Sequence, residues 1–158
     1  MLPEIEEMVS EWKDYLKEHK GYLEEDFVQN LNKKFTVNEE EYNMTAELAL
    51  KPEGVNFMIL KFERLARPLV PLERRTIAIA RVIDKNPFPF AILTNNSDSV
   101  FMDVIKGKTS YEFDTPSRAE SMSILKELNV ERLSGDEEGK EKRIFATIDS
   151  IKCEIRKD

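Results

Sequence analysis

Cysteine and histidine are almost absent from this 158-residue chain, which holds one of each, Cys153 and His19. A single cysteine cannot form an internal disulfide, and the two residues together cannot supply the ligands of a structural zinc site. Any bound metal would have to use oxygen ligands. Long apolar runs are absent as well, since no segment approaches the roughly 20 apolar residues of a membrane helix. The composition therefore predicts neither disulfide nor Cys/His zinc chemistry, and no membrane span.

The chain also lacks the positively charged start of a signal peptide, because it begins Met-Leu-Pro-Glu, and we expect a cytoplasmic protein. Hydrophobic residues make up 41% and charged residues 35%, a balance that allows both a core and a polar surface. At this length one core is the default. We expect a domain over residues 1–130, followed over residues 131–158 by a polar linker and a C-terminal helix packed on the same domain.

Acidic residues outnumber basic ones by 31 to 24, and the net charge of −7 argues against a protein that coats nucleic acid nonspecifically. The balance reverses between Lys61 and Lys85, a stretch with seven basic and three acidic residues. It predicts either a nucleic-acid footprint or a solvated cluster neutralised by nearby acidic helices, and both interpretations remain open. The candidate phosphate contacts are Arg64, Arg67, Arg74 and Arg75.

Hydrophobic periodicity predicts alternating helices and strands, as in an α/β domain with a central mixed sheet of about four to five strands flanked by helices. The predicted helices cover residues 3–19, 24–35, 72–84, 118–128 and 144–155, with a polar linker over residues 134–143. The predicted strands cover residues 42–50, 56–63, 88–94 and 99–105. In the first strand, alternation places Tyr42, Met44, Ala46, Leu48 and Leu50 on one face.

Three charged residues on the first two predicted strands form a candidate site. Lys61 and Glu63 share a face because they lie two residues apart, and pairing of the strands would bring Glu47 near them. A metal-dependent phosphodiesterase needs two carboxylates to hold Mg²⁺ and a lysine near the attacking water. Glu47 and Glu63 are therefore the candidate metal ligands, and Lys61 completes the catalytic set. The alternative is an exposed edge-strand glutamate beside an ordinary charge pair.

A longer segment carries a family resemblance. Ala46-Glu47-Leu48 is followed after a turn by Met58-Ile59-Leu60-Lys61-Phe62-Glu63, a proline-containing loop, a helix and the strand Phe90-Ala91-Ile92-Leu93-Thr94-Asn95. This order resembles the N-terminal nuclease domain of type I restriction enzyme R subunits over roughly residues 8–128. The resemblance implies a restriction-endonuclease-like core. It also implies a PD-(D/E)XK site, with an aspartate on the first strand and Glu-X-Lys on the second.

The order of the motif differs in this chain. Carried over by position, the aspartate of the family falls on Glu47, its second carboxylate on Lys61 and its lysine on Glu63, so the last two are exchanged. Residues 69–81 resemble a small stand-alone prokaryotic and archaeal branch of the family, in which the Glu-X-Lys signature also tends to be lost. The resemblance therefore implies a retained fold with a lost or altered reaction.

Three functional hypotheses follow from these residues. The first is a catalytically degenerate restriction-endonuclease-like domain that acts as a nucleic-acid-associated or protein-interaction module. The second is a Mg²⁺-dependent DNA endonuclease that uses Glu47, Lys61 and Glu63, and it alone implies a cofactor. The third is a purely structural interaction protein, with the acidic first helix as its partner surface. DNA, another protein or a second copy of the chain are the partners that these hypotheses allow.

Overall fold

The computed structural model describes residues 2–157, with side chains described for residues 2–150. Its four helices are α1 (Pro3–Lys20), α2 (Glu73–Val82), α3 (Arg118–Glu127) and α4 (Gly135–Lys157). Its strands are β1 (Phe27–Val37), β2 (Glu40–Leu50), β3 (Met58–Phe62), β4 (Phe90–Thr94), β5 (Ser99–Asp103) and β6 (Lys108–Ser110). None of these helices combines the length and apolar composition needed to cross a membrane.

The described strands form one sheet in chain order, β1-β2-β3-β4-β5-β6. Neighbours are antiparallel except β3 and β4, which are parallel and connected through α2. A parallel pair needs such a crossover because the chain must return to the same end of the sheet. The α/β class with a mixed, helix-flanked sheet is confirmed, and the sheet has six strands where about four to five are predicted.

Two hydrophobic clusters cover the two faces of the sheet. On one face α2 and α4 pack through side chains that include Ile79 and Phe145. On the other face α1 packs through a stripe at helical spacing that includes Met8, Val9 and Leu16, and α3 joins it through partly buried side chains. Since both faces are covered, β3 is buried along its whole length.

The predicted helix over residues 24–35 is wrong. Glu24–Asp26 form a single 3₁₀ turn, and the chain then enters β1, which pairs with β2 over nearly its whole length. Along this strand half-buried Leu31, Lys33 and Phe35 alternate with exposed residues. Pairing with a long neighbouring strand outweighs the weak local preference of residues 24–35 for helix.

The predicted single apolar face of β2 is also wrong, because its side chains are divided between the two clusters. Met44 and Ala46 belong to the cluster under α2 and α4, whereas Leu48 and Leu50 belong to the cluster under α1. The side chains of β2 change from one cluster to the other opposite Asn30 of β1, whose φ of 58° lies in the left-handed region. Asparagine tolerates this conformation better than most residues, and one such residue interrupts the strict alternation of a strand.

Of residues 134–143, predicted as a polar linker, residues 135–143 form the first part of α4 and Ser134 precedes it. The Ser134 side chain accepts the backbone N–H of Glu137 at 3.2 Å, and the Glu137 side chain accepts that of Ser134 at 3.1 Å. This reciprocal cap stabilises the first turn of α4, and the ion pair between Glu138 and Lys142, four residues apart, stabilises the next turn. Together they favour helix in a segment that has no apolar residues. Ile151 and Cys153, suggested for the apolar face of the terminal helix, lie outside the described side chains.

Candidate functional site

Glu47 and Lys61 are brought together as expected, because β2 and β3 pair in antiparallel register. Lys61 Nζ donates to Glu47 Oε2 at 2.9 Å and to Thr45 Oγ1 at 3.0 Å. The side chains of Lys61 and Glu47 are only 10% and 13% exposed. At this burial solvent screens the attraction less than at the surface, and loss of either partner would leave a charge without its counterion.

The second oxygen of Glu47 is also bonded. The β2–β3 ladder extends only from Leu48 opposite Leu60 to Leu50 opposite Met58. Just beyond its end, Glu47 Oε1 accepts the backbone N–H of Phe62 at 2.8 Å. The carboxylate thus supplies an acceptor where the ladder stops, so that this backbone group is not left unsatisfied. Glu47 therefore fastens the open end of the β2–β3 pair.

Glu63 has different partners from Glu47, although it follows Lys61 by two residues. Its Oε1 accepts from Arg75 Nη2 at 2.9 Å and lies 3.8 Å from Arg67 Nη1. Arg75 Nη1 is in turn 3.6 Å from Asp149 of α4. The two predicted metal ligands share no partner, because Glu63 is bound to α2 and Glu47 to Lys61. Within the described part of the chain, no three His, Cys, Asp or Glu side chains are arranged to hold a metal ion.

A second buried carboxylate neutralises the other arginines of α2. Both oxygens of Glu141 accept from Arg74 Nη2, at 2.6 and 2.8 Å, and Oε1 also accepts from Arg81 Nη1 at 2.8 Å. Burial raises the pKa of Glu141, but the hydrogen bonds from Arg74 and Arg81 outweigh it, so that the pKa lies below its ordinary value. Glu141 therefore stays ionised and joins α4 to α2.

The four predicted phosphate contacts differ in their exposure. Arg75 is buried, and Arg74, with 39% of its side chain exposed, is bound by Glu141. Arg67 has 25% of its side chain exposed and lies beside Glu63, whereas Arg64 is exposed at the start of the loop. Most of the basic stretch is thus neutralised inside the fold. This arrangement corresponds to the second interpretation of the charge pattern, a cluster balanced by nearby acidic residues.

Sequence reasoning missed the two acidic residues of α4 that bind these arginines. Glu141 lies 67 residues from Arg74, and Asp149 is still farther along the chain from its partner Arg75. The helical spacing of Glu138 and Lys142 was the available signal for helix in this segment. No local pattern indicates which distant helix face these carboxylates contact.

Comparison with known proteins found no matching family model, no matching curated protein and no matching solved structure.

Proposed function

We propose that this chain is a catalytically degenerate restriction-endonuclease-like domain that serves as a protein-interaction module. The neighbouring motif strands support the first part of this proposal. They bring Glu47 against Lys61, at the positions where the resemblance expects an aspartate and a second carboxylate. A lysine now occupies the position of a metal ligand, and its ammonium group takes the charge-neutralising place that a metal ion would fill.

The observation that carries the proposal is the charge balance of the site. Its carboxylates belong to Glu47, Glu63 and Asp149, and its cations to Lys61, Arg67 and Arg75. A divalent cation is held by oxygen ligands with excess negative charge, and here each carboxylate already has a cationic partner. Each oxygen of Glu47 already accepts a hydrogen bond, from Lys61 or from the Phe62 N–H, so a metal ion would compete with these donors and meet the Lys61 ammonium group. Each buried group left unsatisfied costs about 1–3 kcal/mol.

The arginine contacts favour a protein over a nucleic acid as the partner. Binding to a phosphate backbone draws its affinity from basic side chains that release counterions when they meet phosphates. Arg74 and Arg75 are instead bound to carboxylates of the chain, and the net charge of −7 repels a polyanion. Of the four predicted contacts, Arg64 is the one whose side chain is well exposed to solvent.

A cleavage assay tests the loss of catalysis. The purified protein is incubated with supercoiled plasmid and with single-stranded DNA in Mg²⁺ or Mn²⁺, beside a Glu47→Gln variant prepared in the same way. We expect neither preparation to cleave. Equal cleavage by both preparations would indicate a contaminating nuclease. The wild type and the Glu47→Gln variant would then be purified further until this background is removed. Cleavage by the wild type that Glu47→Gln abolishes would instead support the Mg²⁺-dependent endonuclease.

A binding assay tests the choice of partner. Fluorescence anisotropy with labelled double- and single-stranded DNA at physiological salt should give a Kd weaker than about 10⁻⁴ M, the weak end of nonspecific binding. Tighter binding that weakens with salt and with Arg64→Ala would move the proposal from protein to nucleic acid.

A further inference from the structure

A groove lies at the edge of the sheet where β3 and β4 end. Its larger part, a cavity of about 780 Å³, is lined by the loop at 66–70 after β3, the turn at 95–99 after β4, and residues 111–113. A second cavity of about 370 Å³ shares Ser99 and Phe113 with it and adds Trp12 and Tyr15 of α1. The two cavities are therefore adjacent, and we call them together the β3–β4 groove.

The topology makes this edge a favoured place for a ligand. Of the described strands, β3 and β4 are the parallel pair, and their carboxyl ends open into the groove. In open α/β sheets ligands bind in the crevice outside the carboxyl ends of parallel strands, where the connecting loops separate. The groove thus has the position of a binding site independently of its side chains.

Large apolar and aromatic side chains are exposed along the groove. Val70 is 68% exposed, Tyr111 60% and Tyr15 37%. The ring of Trp12 meets that of Tyr15 edge-on at a centroid distance of 5.9 Å. Exposed apolar residues are ordinary when scattered singly, but residues that line one concave surface are typical of interaction sites.

The charge of the lining is strongly asymmetric. Its carboxylates belong to Glu11, Asp98, Glu112 and Asp114, against a single guanidinium, that of Arg67. Asp114 is paired with Lys20 at 2.9 Å, and Arg67 lies near Glu63. Among the described residues Glu11, Asp98 and Glu112 have no ion-pair partner, so three carboxylates face the groove without a counterion of this chain.

We propose that the β3–β4 groove binds a short segment of a partner protein in which lysine or arginine residues alternate with apolar ones. This inference rests on the proposed function and names the surface and the partner chemistry. The unpaired carboxylates complement the basic side chains, the faces of Tyr111, Tyr15 and Trp12 accept cations and apolar groups, and Val70 provides an apolar contact. A second copy of the chain is a poor occupant because both copies carry a charge of −7.

The test is selection of a displayed random-peptide library on the immobilised full-length protein, followed by binding of the enriched synthetic peptides. Trp12 is the single tryptophan of the chain and lines the second cavity, so its fluorescence is recorded as each peptide is added. The groove variants are the double charge reversal Asp98→Lys/Glu112→Lys, and Tyr111→Ser. The matched control is Glu41→Lys/Glu131→Lys, which makes the same change of charge at exposed residues outside the groove.

We expect the enriched peptides to carry lysine or arginine among apolar residues and to alter the Trp12 emission. The double charge reversal should weaken the affinity for these peptides about tenfold or more, and the control variant should weaken it less than about twofold. The affinity of the wild type should also fall as NaCl rises from about 0.05 to 0.5 M. Enrichment of acidic peptides, or of none, would overturn the inference, as would self-association lost in the groove variants. Equal binding of the peptides to the groove and control variants would reject the groove but would leave the protein-interaction function standing. The proposed function is tested separately, because DNA cleavage or tight DNA binding in the assays above would contradict it.

Discussion

Exchanging the charges of Lys61 and Glu63 at the end of β3, Lys61→Glu with Glu63→Lys, creates the Glu-X-Lys order that the proposed nuclease ancestry would require of an active site. In this fold the exchange places a carboxylate against Glu47 and an ammonium group against Arg75 and Arg67. Each ion pair becomes a like-charge contact at a site with little exposure to solvent. We therefore expect the double variant to lose stability and to gain no nuclease activity.

The expected size of the loss follows from the burial of the two pairs. Lys61–Glu47 and Arg75–Glu63 are each separated by 2.9 Å, and all four side chains are at most 13% exposed. Breaking a buried pair by removing one partner costs about 3–5 kcal/mol, and the exchange breaks two, for a total of about 6–10 kcal/mol before repulsion is counted. A domain of this size has a free energy of unfolding of about 5–15 kcal/mol, so a large part or all of it would be lost.

Urea unfolding followed by far-UV circular dichroism measures this effect. The control variant Glu47→Lys/Lys61→Glu reverses the first pair without separating opposite charges, and leaves Glu63 with Arg75. It should lose far less stability than the exchange, with a remaining deficit of about 1–3 kcal/mol for the Phe62 N–H, which loses its acceptor. An exchange variant within about 1 kcal/mol of the wild type, or one that cleaves DNA with Mg²⁺, would refute the reasoning.

Three further predictions concern pH and the backbone. The pKa of Glu141 in the folded protein lies below its ordinary 4.5, so its contribution to stability is present above pH 4.5 and is lost as pH falls through the folded pKa. In urea unfolding at a series of pH values, Glu141→Gln should therefore reduce the fall of the free energy of unfolding in acid. Burial raises the pKa of Tyr22 from 10 to about 12, so stability should fall as pH rises between these values, and Tyr22→Phe should remove that fall. The chain has four tyrosines, so the ultraviolet titration of the wild type is compared with that of Tyr22→Phe, and a difference centred near pH 10 would contradict this prediction. Asn30→Val should cost about 1–3 kcal/mol in thermal unfolding because φ is 58° there, whereas Asn30→Gly should cost little; equal losses would show that the conformation is not responsible.

Patterns confined to neighbouring residues were sufficient for much of the fold. Period-two alternation located β2, and helical spacing located α1 and α2 within a few residues. The helix predicted over residues 118–128 begins at the same residue as α3, whose N-cap Ser117 accepts the N–H of Glu120 at 3.1 Å. The same alternation, with pairing of the two strands, anticipated the contact between Glu47 and Lys61.

Patterns of this kind failed where the partner is distant or the backbone departs from regular geometry. β1 is a strand because β2 pairs with it, and the apolar residues of β2 change face opposite the left-handed Asn30 of β1. Neither effect is contained in a short window of residues, because cross-strand pairing and burial are decided by the assembled sheet.

The sequence by itself determined the α/β class and the Lys61-Phe62-Glu63 order of charges at the end of β3. Only the tertiary structure decided what those charges do. Lys61 neutralises Glu47, while Glu63 holds Arg75 of α2, and the acidic residues of α4 complete the balance. The physical reason is that a charge has little energetic meaning until its burial and its counterion are known, and both depend on segments far apart in the chain.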